Sequence, residues 1–128
     1  MTKLTVKDLF EKKGKVKLTE LYVTNALEAY AAEKAGIDIQ IVSFKKETLR
    51  TGVPTNKWFR DAHIKDIREA APNTFMIFGL GQLSSTEKAI DAALIARDNG
   101  ADAVYCGNSP KYIEALRKEG LPSVSHIG

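Results

Sequence analysis

Residues 74–81 of the chain are Thr74-Phe75-Met76-Ile77-Phe78-Gly79-Leu80-Gly81. The run from Thr74 to Phe78 is short and continuously apolar, which is typical of a strand buried on both faces of a parallel sheet. Glycines follow it, and the next apolar positions, from Ala89 to Ala96, have helical spacing. The stretch therefore predicts a strand, a glycine-containing turn and a helix in succession.

The same succession extends in both directions from this stretch, recurring every ~25 to 30 residues. Further strands are predicted over 18–23, 37–43, 101–106 and 121–127. Helices are predicted over 25–34, over the segment that ends before Pro72, and after Ser84 and Ser109. Strands that alternate with helices in this way indicate an α/β fold, in which right-handed crossovers join parallel strands.

Helix starts are marked by small polar residues. Thr5 and Asp8 have the spacing of a capping box and predict a short leader helix that ends near Lys13, with Leu9 and Phe10 on its apolar face. Ser84 and Glu87 predict a second capping box. Ser109 before Pro110 predicts a capped helix that begins with proline, the residue best suited to the first helical position.

The length of 128 residues suits one domain, and 44% hydrophobic with 27% charged residues is ordinary for a globular protein. A complete (β/α)₈ barrel usually needs about 250 residues. We therefore expect residues 1–128 to form a single partial barrel domain of five parallel strands and four intervening helices behind the leader helix. The uncovered edges of such a sheet predict a homo-oligomer, a partner that completes the barrel, or an origin in a longer protein.

Charge and cysteine usage exclude several classes of protein. The 19 basic and 16 acidic residues are interspersed and give a net charge of only +3, which does not favour nucleic-acid binding. The lysine-rich segment 12–17 is interpreted as a solvated turn. The single Cys106 fits a reducing compartment, so we expect a cytoplasmic protein. No signal peptide or apolar membrane span is visible, so no membrane association is expected.

Ligands of parallel α/β sheets bind at the carboxyl ends of the strands, which selects the candidate site residues. As catalytic residues we select His126 and Tyr105. The predicted substrate-binding residues are Tyr22, Asn25, Ser43, Lys45, Gln82, Asn108 and Ser109. No metal ligand is predicted. The expected ligand is a small anionic substrate.

Alternatives remain open at several of these positions. The glycines of 79–81 lack the third glycine of a dinucleotide fingerprint and equally suit a tight turn. Residues 106–109 open a helix whose free amide groups can hold an anion, although Ser109 can equally serve only as a cap. Strand alternation places Tyr105 on the face opposite Cys106. His126 can donate a proton or hold an oxyanion, or make only a structural hydrogen bond.

The chain resembles the N-terminal half of the ketopantoate hydroxymethyltransferases, (β/α)₈ barrels of the phosphoenolpyruvate mutase and isocitrate lyase superfamily. Four phrases in the same order and spacing carry the resemblance: residues 5–14, 35–39, 99–104, and 119–122 leading to 126–128. The resemblance implies transfer of a hydroxymethyl group from methylenetetrahydrofolate to 2-oxoisovalerate, a step of pantothenate biosynthesis. It also implies a magnesium ion that polarises the oxo acid.

The family's site motifs are replaced in this chain. The metal aspartate after the second strand corresponds to Phe44, and the metal motif after the third strand corresponds to 79–82. The lysine and glutamate motif of the fourth strand corresponds to 105–108, and an aspartate after the first strand corresponds to Asn25. Within this span only His126, followed by Ile127-Gly128, keeps the family residue at a site position.

Loss at the strand ends with retention of the scaffold phrases indicates altered function on a retained fold. We therefore expect diverged, metal-independent chemistry on a small oxo acid or other anion. The resemblance implies magnesium and methylenetetrahydrofolate as cofactors of the family, but the metal ligands are absent here and no cofactor of this chain is assigned. The alternative is a non-catalytic member of the family that acts through binding or assembly.

Overall fold

The computed structural model describes residues 3–42, 57–81, 83–107 and 109–125, together with their side chains except those of residues 57–63. The helices are α1 (Val6–Lys12), α2 (Ala26–Lys34), α3 (Lys57–Ala70), α4 (Thr86–Asp98) and α5 (Pro110–Lys118). The strands are β1 (Glu20–Val23), β2 (Ile39–Val42), β3 (Phe75–Gly79), β4 (Ala103–Tyr105) and β5 (Ser123–Val124).

The five strands form one sheet in the order β1-β2-β3-β4-β5, and every neighbouring pair is parallel. Each intervening helix connects one strand to the next, as a parallel sheet requires. The predicted α/β fold, with a leader helix, five strands and four intervening helices, is confirmed for the described residues. None of the helices in these ranges is long and apolar enough to span a membrane.

The main core lies between the sheet and helices α2–α5. One row of sheet residues facing it is Val23, Val42, Phe78 and Val104, paired in register across four strands and buried. Alanines of the helices, such as Ala93 and Ala96, meet this core and are fully buried. Small helix residues let the backbone of α4 approach the sheet closely, so β3 is buried on the helix side and on the opposite face, as predicted.

The opposite face of the sheet is called the inner face here. A second cluster of Ile39, Phe75, Ile77 and Ala103 lies on it, and apolar residues of the leader segment pack against this cluster. The leader residues are Leu4, Val6, Leu9 and Leu18. Since Ile39, Phe75 and Ala103 begin their strands, the leader segment covers the N-terminal end of the inner face.

The structure corrects two local predictions. Ser85, not Ser84, caps α4, because the Ser85 side chain accepts a hydrogen bond from the Lys88 amide at 3.2 Å. Phe10 is exposed on α1 rather than packed on the sheet. Strands β1, β2, β4 and β5 each begin two residues later than predicted, and β3 spans Phe75–Gly79 rather than 74–78. Positions 43, 126 and 127 of the predicted strands lie outside the described residues.

Side-chain hydrogen bonds between distant segments join the strands at their N-terminal edge. The Arg68 guanidinium of α3 donates to Asp102 Oδ2 at 3.0 Å, to the Thr74 carbonyl at 2.6 Å and to the Gly100 carbonyl at 3.3 Å. Asp102, just before β4, also accepts from the Met76 amide at 2.9 Å and pairs with Lys3. This network fixes the leader segment, α3, β3 and β4 to one another.

Two smaller networks act at the same edge. Asp38, before β2, accepts from the amide and the hydroxyl of Thr19, before β1, at 2.8 and 3.0 Å. Glu33 of α2 accepts from the Asn73 amide and the Thr74 hydroxyl, at 2.7 and 2.9 Å. Each of the first three strands is therefore tied at its start to another part of the chain.

The predicted capping box of α1 is confirmed and makes the leader helix sensitive to acid. The Thr5 amide and hydroxyl donate to the Asp8 carboxylate at 2.8 and 2.9 Å, and these bonds lower the pKa of Asp8 below its usual 3.8. The stabilisation is present above pH 3.8 and is lost as the pH falls through the lowered pKa in the folded state.

We expect an NMR titration of the Asp8 carboxyl to have its midpoint below 3.8 and to coincide with loss of the Thr5 amide hydrogen bond. Asp8→Asn should abolish this acid transition of α1 while leaving the rest of the sheet in place. A midpoint at or above 3.8 would contradict the capping interpretation.

Candidate functional site

The carboxyl half of the inner face is the part of the sheet that the leader segment leaves uncovered. Tyr22 on this face is 42% exposed and Val124 is 40% exposed. Tyr105 is half-buried, and its register partners are Gly79 on β3 and Val124 on β5. Gly79, the register partner of Tyr105 on β3, contributes no side chain to this row of the inner face.

The two tyrosines lie on the same face but not in the same row. Tyr22 aligns with Ile41 of β2, which aligns in turn with Ile77. Tyr105 lies one row nearer the carboxyl edge and three strands away, which is roughly 14 Å along a sheet with ~4.8 Å between strands. Alternation predicts correctly that Tyr105 and Cys106 face opposite ways, since Tyr105 packs with the inner cluster and Cys106 with the helix-side core.

The N-terminus of α2 is occupied by side chains of the chain itself. Asn25 Oδ1 accepts from the Glu28 amide at 2.9 Å, which makes Asn25 the N-cap. The Glu28 carboxylate accepts from the amide and the hydroxyl of Thr24 at 2.7 and 3.0 Å. A carboxylate at this position satisfies the amide groups and repels an anionic ligand.

The N-terminus of α5 differs in charge. Ser109 is its N-cap, with Oγ accepting from the Lys111 amide at 3.3 Å, and Pro110 follows as predicted. No acidic residue lies in the first turn of α5, whereas α1, α2 and α4 carry Asp8, Glu28 and Glu87 there. The positive end of the α5 dipole is therefore not neutralised locally.

Five of the predicted site residues lie outside the described ranges. They are Ser43, Lys45, Gln82, Asn108 and His126. The structure brings Tyr105 and Ser109 to the two sides of the β4–α5 connection, and it places Asn25 and Tyr22 at the β1–α2 connection. Their roles in binding or catalysis stay predictions.

The donor set of the described strand ends does not fit the magnesium ion that the family resemblance implies. Strand ends within the described ranges present Thr24 and Asn25, Gly81, Cys106 and Gly107 rather than carboxylates, and Cys106 is buried on the helix side. The described residues contain no cluster of three carboxylate, imidazole or thiol side chains. A hard divalent cation prefers several oxygen ligands, carboxylates above all.

Glu28 and Lys111 are the charged residues at these helix starts that the sequence analysis did not single out. Glu28 follows Thr24 by four residues and Asn25 by three, which is the spacing that brings a carboxylate back to a helix N-terminus. That signal was available in the sequence. It separates the N-terminus of α2 from that of α5.

No protein-family model matches the chain. Among curated proteins, the 3-methyl-2-oxobutanoate hydroxymethyltransferase of Thermosipho africanus is 29% identical over 98% of this chain and 51% of its own length. The enzyme of the same name from Geobacillus kaustophilus is 32% identical over 78% of this chain and 40% of its own length. The chain thus spans about half the length of the curated relatives it matches.

Solved structures show the same fold. The structure of 2,3-dimethylmalate lyase, described as a PEP mutase/isocitrate lyase superfamily member, matches with a TM-score of 0.68 at 13% identity. The match covers 98% of this chain and 51% of the chain of that lyase. Oxaloacetate acetylhydrolase matches with a TM-score of 0.67 at 12% identity over 93% of this chain and 50% of its own.

The described strands and helices form about half of a (β/α)₈ barrel, in agreement with the share of these structures that the chain covers. Because these two curated matches cover 98% and 78% of the chain, the similarity is not confined to one motif. The chain is therefore a homologue of the ketopantoate hydroxymethyltransferase family, about half as long as its relatives, on the fold of the PEP mutase/isocitrate lyase superfamily.

Proposed function

We propose that this chain binds a small 2-oxo acid or a related anion at the carboxyl end of β4, with chemistry that does not depend on a divalent metal. The observation that carries the proposal is the N-terminus of α5, which has a hydroxyl cap, no acidic residue in its first turn, and a lysine at position 111. Relatives named for hydroxymethyl transfer to 3-methyl-2-oxobutanoate support an oxo acid as the ligand class.

The electrostatic argument rests on a comparison of helix ends. An anion at the N-terminus of α5 gains free amide groups and the positive end of the helix dipole. The same anion at α2 meets the Glu28 carboxylate, which already accepts two hydrogen bonds from Thr24. We therefore assign the anionic group of the ligand to Ser109 and Asn108, and its remaining part to the inner face beside Tyr105.

The other selected residues complete the proposal. Tyr22, Asn25, Ser43, Lys45 and Gln82 follow or end the first three strands, so they border the same edge of the sheet. His126 follows β5 and would donate a proton to the ligand or hold its oxyanion near neutral pH. In this proposal residues 1–128 act as one partial barrel domain in the cytoplasm.

Titration with 2-oxoisovalerate, followed by tyrosine or Trp58 fluorescence, tests the binding step. We expect saturable binding that is equal with magnesium and with EDTA. Ser109→Ala should raise the Kd about tenfold or more, because one hydrogen bond to a charged group contributes roughly 1.5–3 kcal/mol. If turnover of an oxo acid is found, His126→Asn should abolish it.

Ser85→Ala is the matched control, because it removes the equivalent hydroxyl cap from α4, which has Glu87 in its first turn. This variant should keep the Kd of the unmodified chain. Binding that requires magnesium would contradict the proposed independence from metal. An unchanged Kd in both Ser109→Ala and Asn108→Ala would show that the anion does not bind at the N-terminus of α5.

A second candidate function is a non-catalytic role in binding or assembly. It is favoured by the large apolar side chains that stay exposed at one edge of the sheet, among them Leu27 and Tyr30 of α2. Retention of assembly in a chain that binds no oxo acid would favour this candidate over the first.

A further inference from the structure

The free side of β1 carries an exposed apolar surface, called the β1 edge here and defined by Leu21, Tyr22, Leu27 and Tyr30. Leu21 and Tyr22 lie on successive positions of β1, so they face opposite sides of the sheet, and both are more than 40% exposed. Leu27 is 76% exposed and Tyr30 is 51% exposed on α2, the helix that contacts β1. Both layers of the fold therefore end in apolar side chains at this edge.

The opposite end of the sheet is called the β5 edge here and consists of β5 and α5. Val124 is exposed on its inner face, and Lys111, Arg117 and Lys118 are exposed on α5. With Glu114 and Glu119 included, α5 and its C-cap have one more basic than acidic residue. At the β1 edge, Glu20 and Glu28 are exposed against Lys34, which lies over the Tyr30 ring. The two edges therefore have opposite net charge.

In the described sheet, β1 and β5 each have a neighbouring strand on one side only. Solved structures of the same fold are about twice as long as this chain, so they contain further segments that have no counterpart in the residues described here. A free side of β1 and a free side of β5 are complementary, because all strands run parallel and in chain order.

We propose that two copies of this chain associate edge to edge, with the β1 edge of one copy against the β5 edge of the other, twice over. In such a dimer the twofold axis runs along the strand direction, so strands of the two copies stay parallel where they meet. All four edges are then paired, and the two inner faces lie inside the closed ring. The proposal specifies the partner for the assembly role given above, and it rests on that role rather than on ligand binding.

The charge distribution favours this arrangement over a dimer through two β1 edges. The head-to-tail contact brings Glu20 and Glu28 towards the β5 edge, where α5 and its C-cap carry one more basic than acidic residue. Two β1 edges in contact would place these carboxylates against their own copies, and would leave both β5 edges open. The head-to-tail ring contains ten strands, so it is wider than a barrel of eight. Each carboxyl end of β4 then faces an enclosed space.

Light scattering coupled to size-exclusion chromatography tests the dimer in the absence of ligand. We expect twice the mass of one chain at micromolar concentration. Leu27→Glu on the β1 edge and Arg117→Glu/Lys118→Glu on the β5 edge should each weaken the dimer at least tenfold. All three side chains are exposed, so circular dichroism and thermal unfolding should match the unmodified chain.

Mixing the two variants distinguishes the modes of association. One contact of the head-to-tail ring then joins two unmodified edges, so the mixture should regain dimers that neither variant forms alone. Phe10→Ser is the control, because Phe10 is 73% exposed on α1 and belongs to neither edge, and its dimer should be unchanged.

A monomer of the unmodified chain at ~100 µM would overturn the proposal and indicate a different chain as the partner. A dimer that is sensitive to Leu27→Glu alone, with no recovery on mixing, would overturn the head-to-tail mode in favour of paired β1 edges. Oxo-acid titration of the same samples separates this result from the binding proposal, because each measurement can fail without the other.

Discussion

Arg68→Met should lower the free energy of unfolding by about 3 kcal/mol, the lower part of the range for removing one partner of a buried ion pair. The Arg68 and Asp102 side chains are each 15% exposed, so little water can replace the lost contacts. The carbonyls of Thr74 and Gly100 would lose their guanidinium donor. The loss is limited because Asp102 keeps the Met76 amide and Lys3 as partners.

Arg97→Met is the matched control for this prediction. Arg97 pairs with Asp98 at 3.3 Å, but the two side chains are 56% and 67% exposed. An exposed pair of this kind contributes about 0–1 kcal/mol. Urea denaturation of both variants provides the measurement, and equal losses would show that the Arg68 network contributes no more than a surface ion pair.

Gly100→Ala should destabilise the fold by about 2–5 kcal/mol, from backbone strain and steric overlap together. Gly100 follows α4 with φ +113°, a conformation that residues with a side chain rarely adopt. A Cβ atom there would lie 2.5 Å from Cγ and 2.7 Å from Cδ of Arg68. Because Arg68 is held by several hydrogen bonds, its stem cannot move away at low cost.

Gly120→Ala separates strain from overlap. Gly120 has φ +71°, but among the described residues no heavy atom beyond Gly120 itself and its two chain neighbours lies within 4 Å of the position that its Cβ would take. Only the strain of about 1–2 kcal/mol is expected there. In a double-mutant cycle, Gly100→Ala should cost about 1 kcal/mol or more less stability when Arg68→Ala is already present. Strictly additive losses of the two substitutions would contradict the predicted overlap between the new Cβ atom and Arg68.

The order of strands and helices could be predicted because each element carries a local signal. Continuous apolar runs mark β2 and β3, and Thr5, Ser109 and Pro110 mark helix starts. The exact residue at which a helix begins was harder to predict. Ser84 and Ser85 are adjacent and both can cap a helix, so the sequence does not separate them; the structure places the cap at Ser85.

The candidate site could be predicted only as a list of strand ends. The sequence places Tyr105 on the inner face by alternation, since the period of a strand is fixed. The three-residue spacing of Asn25 and Glu28 also carries the signal for the start of α2, where Asn25 Oδ1 accepts from the Glu28 amide. The sequence does not join Arg68 to Asp102, since 34 residues separate them and only the fold brings them together.

The two ends of the sheet differ in how far their side-chain bonds reach. At the N-terminal edge, Arg68 and Asp102, Thr19 and Asp38, and Glu33 and Thr74 join segments distant in sequence. The described bonds at the carboxyl edge, around Asn25, Ser85 and Ser109, stay within one helical turn. Mutations at Asn25, Ser85 or Ser109 therefore remove bonds that lie within one helix rather than bonds that join distant segments. Long-range bonds at the N-terminal edge and local bonds at the carboxyl edge give an evolutionary route by which the family's catalytic motifs could be lost while its fold survived. The carboxyl edge is also the place where a protein engineer can install new chemistry.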